Sequence, residues 1–548
     1  MWRLSRKKQK VKRPEVETME QLRAFVRAAL QTYLEAELPF GLPPPERKKY
    51  YLQVQQLRHA LRACVYGEGG EKAYVKHYIM RELLQMNLTL KERENILPVH
   101  MPRKLTAPQK FNILLYRYMK QYGKDGLRKL FEAGKLPGEV EREDGSYYEI
   151  TAEDIHRLYE KEGILLSNSE IMELLCDGVY EGFGHGVIDR LRDCRLEGIS
   201  GGAAGLPEQF FRYESELQGN FLGKHAYDSI FVMMHGNTIR LSFLSFGSEQ
   251  ELRRVVKALL RFEAPGELSY YRPYMVNDMK DGSRVFACRP PFSESWAFFI
   301  RKFDSTEEKK PEDFIVGEGA KEVIQALQYF VSGGLHMAIT GAQGSGKTTL
   351  LKALVRYINP KYNLRIAESV FELWMRKEFP YRNILTFRET ESVDSTEGLD
   401  AFRKTDGNCL MMGEIGNIQT AALMVELSQV SEQQLFTHHA MTTDKLLGYF
   451  RNALLRTGTY SDAQMALEQV AEALDIHVLC EKSLAGRRYV KEIAEVGDGK
   501  CEGTRVLYRY EDGSYKRVGL PSGKLLCRME ERMGKEEKET VRNFFAEV

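Results

Sequence analysis

From about Met19 to Leu130, apolar residues recur three and four positions apart, as in MEQLRAFVRAALQTYLEAEL and KYYLQVQQLRHALRACVY. That spacing predicts helices that each bury one stripe. No catalytic constellation falls there, so the region reads as a helical adaptor. The period is lost in PGEVEREDGSYY, which is either a linker or a hairpin, and returns in ITAEDIHRLYEKEGI. After SGGAAGLP the texture becomes mixed. SIFVMMHGNTIRLSFLSF offers two strand-like runs around His235, Gly236 and Asn237, EQELRRVVKALLRF is helix-like, and MVNDMKDGSRVFACRPP and WAFFIRKF read as strands. The polar, proline-bearing DSTEEKKPED suits an interdomain linker. Beyond it, short apolar runs alternate with helical spacing from Phe314 to about Val496, the pattern of a parallel sheet covered on both faces. VLYRYEDGSYKRVGLPSGKLLCRM then reads as a hairpin turned at Asp-Gly, followed by a charged helix.

The expected organisation is a helical adaptor with a basic tail (1–149), a small α+β domain (150–303), a linker (304–313), an α/β nucleotide-binding domain built on a parallel sheet (314–500), and a hairpin with a helix (501–548). A chain of 548 residues is too long for one core, which agrees with several domains. Charged residues make up 28% and the net charge is +2, so no global basic field argues for nucleic acid. The first 13 residues carry seven basic side chains and no acid, a solvated tail or a contact for anionic lipid or a partner. No run approaches 18 apolar residues and the N-terminus lacks an apolar leader core, so a cytoplasmic chain is expected. The eight cysteines include no C-x-x-C pair, which argues against a zinc ribbon or a disulfide framework.

TGAQGSGKTTLL, Thr340 to Leu351, changes this picture from fold to chemistry. It fits G-x-x-x-x-G-K-[ST], with Gly341, Gly346, Lys347 and Thr348 at the fixed positions and Gly344, Ser345 and Thr349 completing the expected phosphate cradle. Glycines let successive backbone N–H groups close around phosphate oxygens, Lys347 reaches the outer phosphates, and the Thr348 hydroxyl suits Mg²⁺. LHMAIT before the loop reads as a strand and LLKALVRYI after it as a helix, whose N-terminus adds partial positive charge. ATP is the expected nucleotide, GTP being disfavoured by the lack of an N-K-x-D string.

Three further runs end in polar residues on the rim where ligands of parallel sheets bind. LRIAESVFEL ends a strand at Glu368, with Glu372 four residues on; GNCLMMGEI ends one at Glu414; LFTHHAMT ends one at Thr437, His438 and His439.

This order resembles the type II/IV secretion ATPases, whose phosphate loop is followed by an acidic box I-E-D-x-x-E-L, a G-E strand and a T-x-H-A box. Here these stand as Ala367 to Leu373, Gly413-Glu414, and Thr437 to Ala440. DGSRV, Pro290-Pro291 and IRKF are similar to landmarks of that family's N-terminal domain, and GRRYVKEIAEV to the close of its motor domain. The resemblance covers about residues 217 to 500 and looks nearest to the CpaF-type ATPases of tight-adherence pili. It implies a RecA-like motor domain and a homo-hexameric ring hydrolysing ATP with Mg²⁺ under a membrane-embedded pilus or secretion platform, peripheral at the inner face of the cytoplasmic membrane. Residue by residue it implies Glu414 as the Walker B glutamate, Glu368 with Glu372 close behind for polarising water, His439 rather than His438 as the family histidine, and Arg284 and Arg301 as arginines that approach phosphate.

The chain also departs from that family. Ser369 replaces an aspartate, Gly416 an arginine, and SQVSEQQ a T-G-H-x-G stretch. These changes keep open a second expectation, a nucleotide-binding regulatory or structural ring subunit with little turnover. A DNA-translocating motor is a third, opposed by the balanced charge and the lack of an aromatic-basic stripe.

Overall fold

The computed structural model describes residues 15–35, 43–67, 69–142, 145–207, 225–263, 266–303, 310–369, 371–389, 393–483, 486–499 and 503–546. The basic tail and residues 304–309 of the expected linker lie outside them. The chain divides into two units, Met1–Ser305 and Thr306–Val548.

In the first unit the helices Met19–Glu35, Pro44–Ala63, Gly69–Met86, Ala107–Tyr122, Ala152–Glu162 and Asn168–Glu181 follow the three-and-four spacing. Three begin with capping boxes at Thr106, Thr151 and Ser167, whose side chains accept from the backbone three residues on. The strands are β1 (Gly138–Arg142), β2 (Gly145–Ile150), β3 (Gly198–Gly201), β4 (Ile230–Met234), β5 (Asn237–Leu241), β6 (Tyr274–Asp278), β7 (Arg284–Cys288) and β8 (Ala297–Arg301), in the order β1-β2-β5-β4-β3-β8-β7-β6. PGEVEREDGSYY is thus a hairpin, and β2 continues into the sheet by pairing in parallel with β5. One hydrophobic cluster runs from Val16 and Leu22 through Phe111 and Tyr180 to Val285 and Ile300. The division drawn from sequence at 149/150 therefore falls inside a single core. Partly buried ion pairs reinforce it: Lys72 bonds Asp189 and, at 2.6 Å, Asp193, while Arg192 bonds Asp281 at 2.9 Å.

In the second unit the strands are β9 (Met337–Thr340), β10 (Leu364–Glu368), β11 (Ile384–Arg388), β12 (Cys409–Met412), β13 (Gln433–His438), β14 (Ile476–Lys482), β15 (Arg488–Glu495), β16 (Arg505–Glu511) and β17 (Ser514–Arg517). The order is β11-β10-β12-β13-β9-β14-β15-β16-β17, parallel as far as β14 and antiparallel after it. Alternate residues serve opposite faces, as strand geometry requires: Met337 and Ile339 join one apolar cluster, Ala338 another with Leu410, Met412 and Phe436. This is the α/β, RecA-like sheet expected, covered on both sides. Two expected boundaries move. Pro311–Phe314 of the linker stretch is a helical turn whose Phe314 enters the core, and the β16–β17 hairpin extends the main sheet, with Met529, Val541 and Phe545 of the final helices in its core. The Asp-Gly turn is read correctly: Asp512 and Gly513 sit at φ 52° and 87°, the left-handed pair a two-residue hairpin needs.

Candidate nucleotide site

β9 delivers the chain directly into the loop, and the helix Lys347–Leu354 leaves it. Gly341, Gly344 and Gly346 take φ of 141°, 75° and 96°, which only glycine adopts without strain. The sequence-named glycines divide by environment. A Cβ on Gly341 would stand 2.1 Å from the Cys480 carbonyl oxygen and one on Gly346 2.3 Å from Phe314, whereas one on Gly344 would meet nothing within 4 Å. Gly341 and Gly346 let the loop pack onto its own unit, and Gly344 leaves an open approach.

Two observations fit an anion here. The first turn of Lys347–Leu354 carries no side-chain cap at Gly346, so its N–H donors remain for a ligand. The buried Ser345 hydroxyl has no hydrogen-bond partner. Lys347, 6% exposed, donates from Nζ to the carbonyls of Gly341 and Ala342, both at 3.0 Å, and lies 3.3 Å from His439 Nδ1. Thr348 and Thr349 follow, half-buried in the first helical turn.

His439 Nε2 lies 3.1 Å from Glu414 Oε1, so Lys347, His439 and Glu414 form one contact series. Backbone pinning accounts for it. Thr437 on β13 donates its hydroxyl to Gly413 O, Ile415 N donates to Thr437 O at 2.9 Å, and His438 Nδ1 approaches Ile415 O at 2.9 Å. These bonds hold the turn that carries Glu414 against the end of β13. Adjacent histidines then point differently: His438 is 7% exposed with its ring 4.4 Å from Tyr449, its pKa lowered by burial, while His439 turns toward the loop.

Glu368, 6% exposed at the end of β10, accepts from the backbone N–H of Glu372 and of Leu373, both at 2.9 Å, through one oxygen. Its other oxygen is buried without a partner. Burial pushes the carboxyl up to about 7, against the lowering effect of those two bonds. Glu368 and Glu414 line one cleft of about 240 Å³, open to solvent, and half-buried Glu372 follows Glu368 in the chain.

The cleft also holds Arg388, Asp394 and Asn417, which the sequence reading passed over. Arg388 had a signal: it ends the strand ILTFR and pairs in register with Glu368. Asn417 caps the helix Ile418–Leu427, accepting from Thr420 N at 2.8 Å. Arg284 and Arg301 belong to the first unit, on β7 and β8. Among the described residues no group of His, Cys, Asp and Glu is arranged to hold a metal, and no helix is long and apolar enough to cross a membrane.

Residues 300–499 match the family model described as "Type II/IV secretion system protein". The chain is 24% identical over 230 residues to the conjugal transfer protein TrbB of Rhizobium radiobacter, covering 41% of this chain and 68% of that one. It is 26% identical over 230 residues to the uncharacterized protein MJ0900 of Methanocaldococcus jannaschii, covering 41% of this chain and 40% of that one. Similar solved structures include the VirB11 ATPase of the Brucella suis type IV secretion system with sulphate (16% identity, TM-score 0.30, 56% of this chain and 91% of that one). The Legionella pneumophila ATPase DotB is another (14%, 0.39, 55% and 78%), as is the pilus retraction motor PilT with bound ADP (13%, 0.38, 61% and 89%).

Proposed function

We propose that this chain is an ATP-hydrolysing motor subunit of the type II/IV secretion class, working as a homo-hexamer beneath a membrane-embedded secretion or pilus platform. The observation that carries the reading is the contact series Lys347, His439, Glu414 at the mouth of the phosphate loop. An ammonium, an imidazole and a carboxylate in contact there join the residue that holds phosphate to one that senses or activates its chemistry. ATP phosphate oxygens take the place of the Gly341 and Ala342 carbonyls as partners of Lys347, and the uncapped helix start accepts the remaining charge. The Thr348 hydroxyl and the Glu414 carboxylate are the groups to hold Mg²⁺, which supplies neutralisation of the phosphate charge. Glu368, poised near neutrality by burial, is suited to take the proton of the attacking water, with Glu372 beside it. Arg284 and Arg301 are proposed to meet phosphate oxygens, whose charge their forked donors match. The family model over residues 300–499 and the likeness to TrbB support this class. A CpaF-type pilus branch and a position at the inner face of the cytoplasmic membrane are the finer parts of the proposal.

A second reading, a nucleotide-holding ring subunit with little turnover, is favoured by Gly416. Where the resembled family carries an arginine this chain has glycine, and a Cβ there would meet nothing within 4 Å, so the place beside Glu414 has room for a side chain and carries none.

Steady-state ATP hydrolysis by the wild type beside Lys347→Ala and Glu414→Gln decides between them. The motor reading expects Lys347→Ala to lose nucleotide binding, and Glu414→Gln to keep it while turnover falls about 100-fold or more. Wild-type turnover no faster than that of Glu414→Gln would replace the motor by the second reading.

A further inference from the structure

Behind the loop, in an otherwise apolar cluster with Ala338, Phe436, Leu446 and Phe450, lies a polar chain that the proposed chemistry does not use. His477 on β14, 2% exposed, approaches the Thr340 hydroxyl with Nε2 at 2.6 Å and the Thr443 hydroxyl with Nδ1 at 2.8 Å. Thr340 and Thr443 are buried too. Burial drives the imidazole down to about 4, so it is neutral in the cell's pH range. A neutral imidazole donates from one nitrogen and accepts at the other, so the two hydroxyls are used in opposite senses and all three groups are satisfied.

The placement matters more than the bonds. Thr340 is the last residue before Gly341, and Thr443 begins the helix Thr443–Arg456, four residues after His439. The segment carrying His439 is therefore tied at both ends. Upstream, Thr437 and His438 bind it to Gly413 and Ile415, which flank Glu414; downstream, Thr443 binds it through His477 to the root of the phosphate loop. Lys347 and Glu414 then meet His439 in the middle.

We infer that His477 is a positioning residue that couples the phosphate loop to the His439 segment, so that phosphate seated in the loop fixes His439 relative to Glu414 through Thr340, His477 and Thr443. This rests on the loop being the nucleotide site. A buried polar chain in an apolar layer transmits a shift because none of its members can move without leaving a hydroxyl or a ring nitrogen buried and unpaired.

The test uses the full chain with ADP and follows amide hydrogen exchange and ATP turnover in wild type, His477→Leu, His477→Gln and Thr443→Val. Leucine fills the site without either bond, and glutamine restores one donor and one acceptor. The expected result has ADP protecting residues 341–348 in all four proteins, but residues 436–443 only in wild type and His477→Gln. In His477→Leu and Thr443→Val, kcat falls about tenfold while ADP affinity stays within about threefold, the split expected of displaced rather than missing groups. Unchanged protection of residues 436–443 in His477→Leu or in Thr443→Val overturns the inference, as does a parallel loss of affinity and kcat that glutamine does not restore. Should His477→Leu fail to fold, Thr443→Val carries the same decision. A wild type that shows no turnover while ADP still protects residues 436–443 would count against the motor reading alone, because the exchange readout needs binding and not hydrolysis; a wild type in which ADP protects 341–348 but not 436–443 overturns the inference. Absence of ADP protection at residues 341–348 in wild type removes the site itself and the inference with it.

Discussion

Arg284 and Arg301 stand directly opposite each other on antiparallel β7 and β8, and Asp278 of β6 completes the row, its carboxylate 3.5 Å from the Arg284 guanidinium. Two cations paired across strands repel, at a cost of a few tenths to about 1 kcal/mol, and among the described residues Asp278 beside Arg284 offsets part of it. The two arginines of this row are those proposed to meet phosphate oxygens. Arg284→Ala and Arg301→Ala are each expected to leave the melting temperature unchanged or slightly raised while lowering kcat at least tenfold, because repulsion is relieved as transition-state charge loses its partner. Thermal unfolding read beside steady-state turnover checks this. Wild-type kcat in both variants would take the pair out of the site.

Glu368 gives a pH prediction with a definite sign. Its folded-state pKa, about 7, lies above the ordinary carboxylate value, so between those two pH values the folded chain keeps a proton that the unfolded chain has lost. Stability therefore falls as pH rises through that window and the penalty is complete above pH 7. Glu368→Gln is expected to melt higher than wild type at pH 8 and to lose that advantage toward pH 5. The turnover of wild type is expected to rise with an inflection near pH 7 as the carboxylate forms, and the variant to lack that limb. An unshifted inflection in Glu368→Gln would assign the proton transfer elsewhere, with Glu372 next in line.

The adjacent histidines are expected to separate stability from turnover. His438 is packed against Tyr449 and bonded to Ile415 O, so His438→Ala removes packing and leaves a buried carbonyl without its partner. A loss of about 2 kcal/mol or more is expected in denaturant unfolding. His439, with two-fifths of its side chain exposed, contacts only charged groups of the site in the bonds described, and His439→Ala should unfold as wild type does while kcat drops. The reverse assignment of effects would mean that His438 is the residue facing the phosphates.

The parallel sheet of the second unit was legible because several of its strands are short apolar runs, and LHMAIT, GNCLMMG and LFTH need no partner to be recognised. The same holds for the Asp-Gly hairpin, where local backbone preference decides. What sequence could not convey is which runs share a core. Helical spacing from Met19 to Leu130 says only that each helix buries a stripe, and nothing local reveals that Leu22 and Ile300 enter one cluster or that Lys72 pairs with Asp189. The site divides in the same way. Lys347 is legible from the loop motif, and Glu368, Glu414 and His439 from their places at or just past strand ends in a motif order. Arg388 ends a strand that the sequence reading passed over, and His477 and Thr443 escaped because their contact joins a strand and a helix start 34 positions apart.

The loop glycines allow a comparison in which one kind of change has two outcomes. At Gly344 a methyl group meets nothing, and the cost is the left-handed backbone at φ 75°, about 1–2 kcal/mol for an alanine. Gly344→Ala is therefore expected to fold and to bind ADP about tenfold more weakly, since that strain can be relieved only by giving up the phosphate-binding conformation. At Gly341 the methyl group would lie 2.1 Å from the Cys480 carbonyl oxygen on β14, so relief requires β9 and β14 to part, and these strands are paired at the centre of the sheet. Gly341→Ala is expected to lower the melting temperature of the second unit by several degrees and to abolish ADP binding. Equilibrium titration with a fluorescent ADP alongside thermal unfolding separates the two cases. Wild-type melting and affinity in Gly341→Ala would show that the loop is free of the sheet, and the close approach that holds Lys347 at the mouth of the site would have to be abandoned.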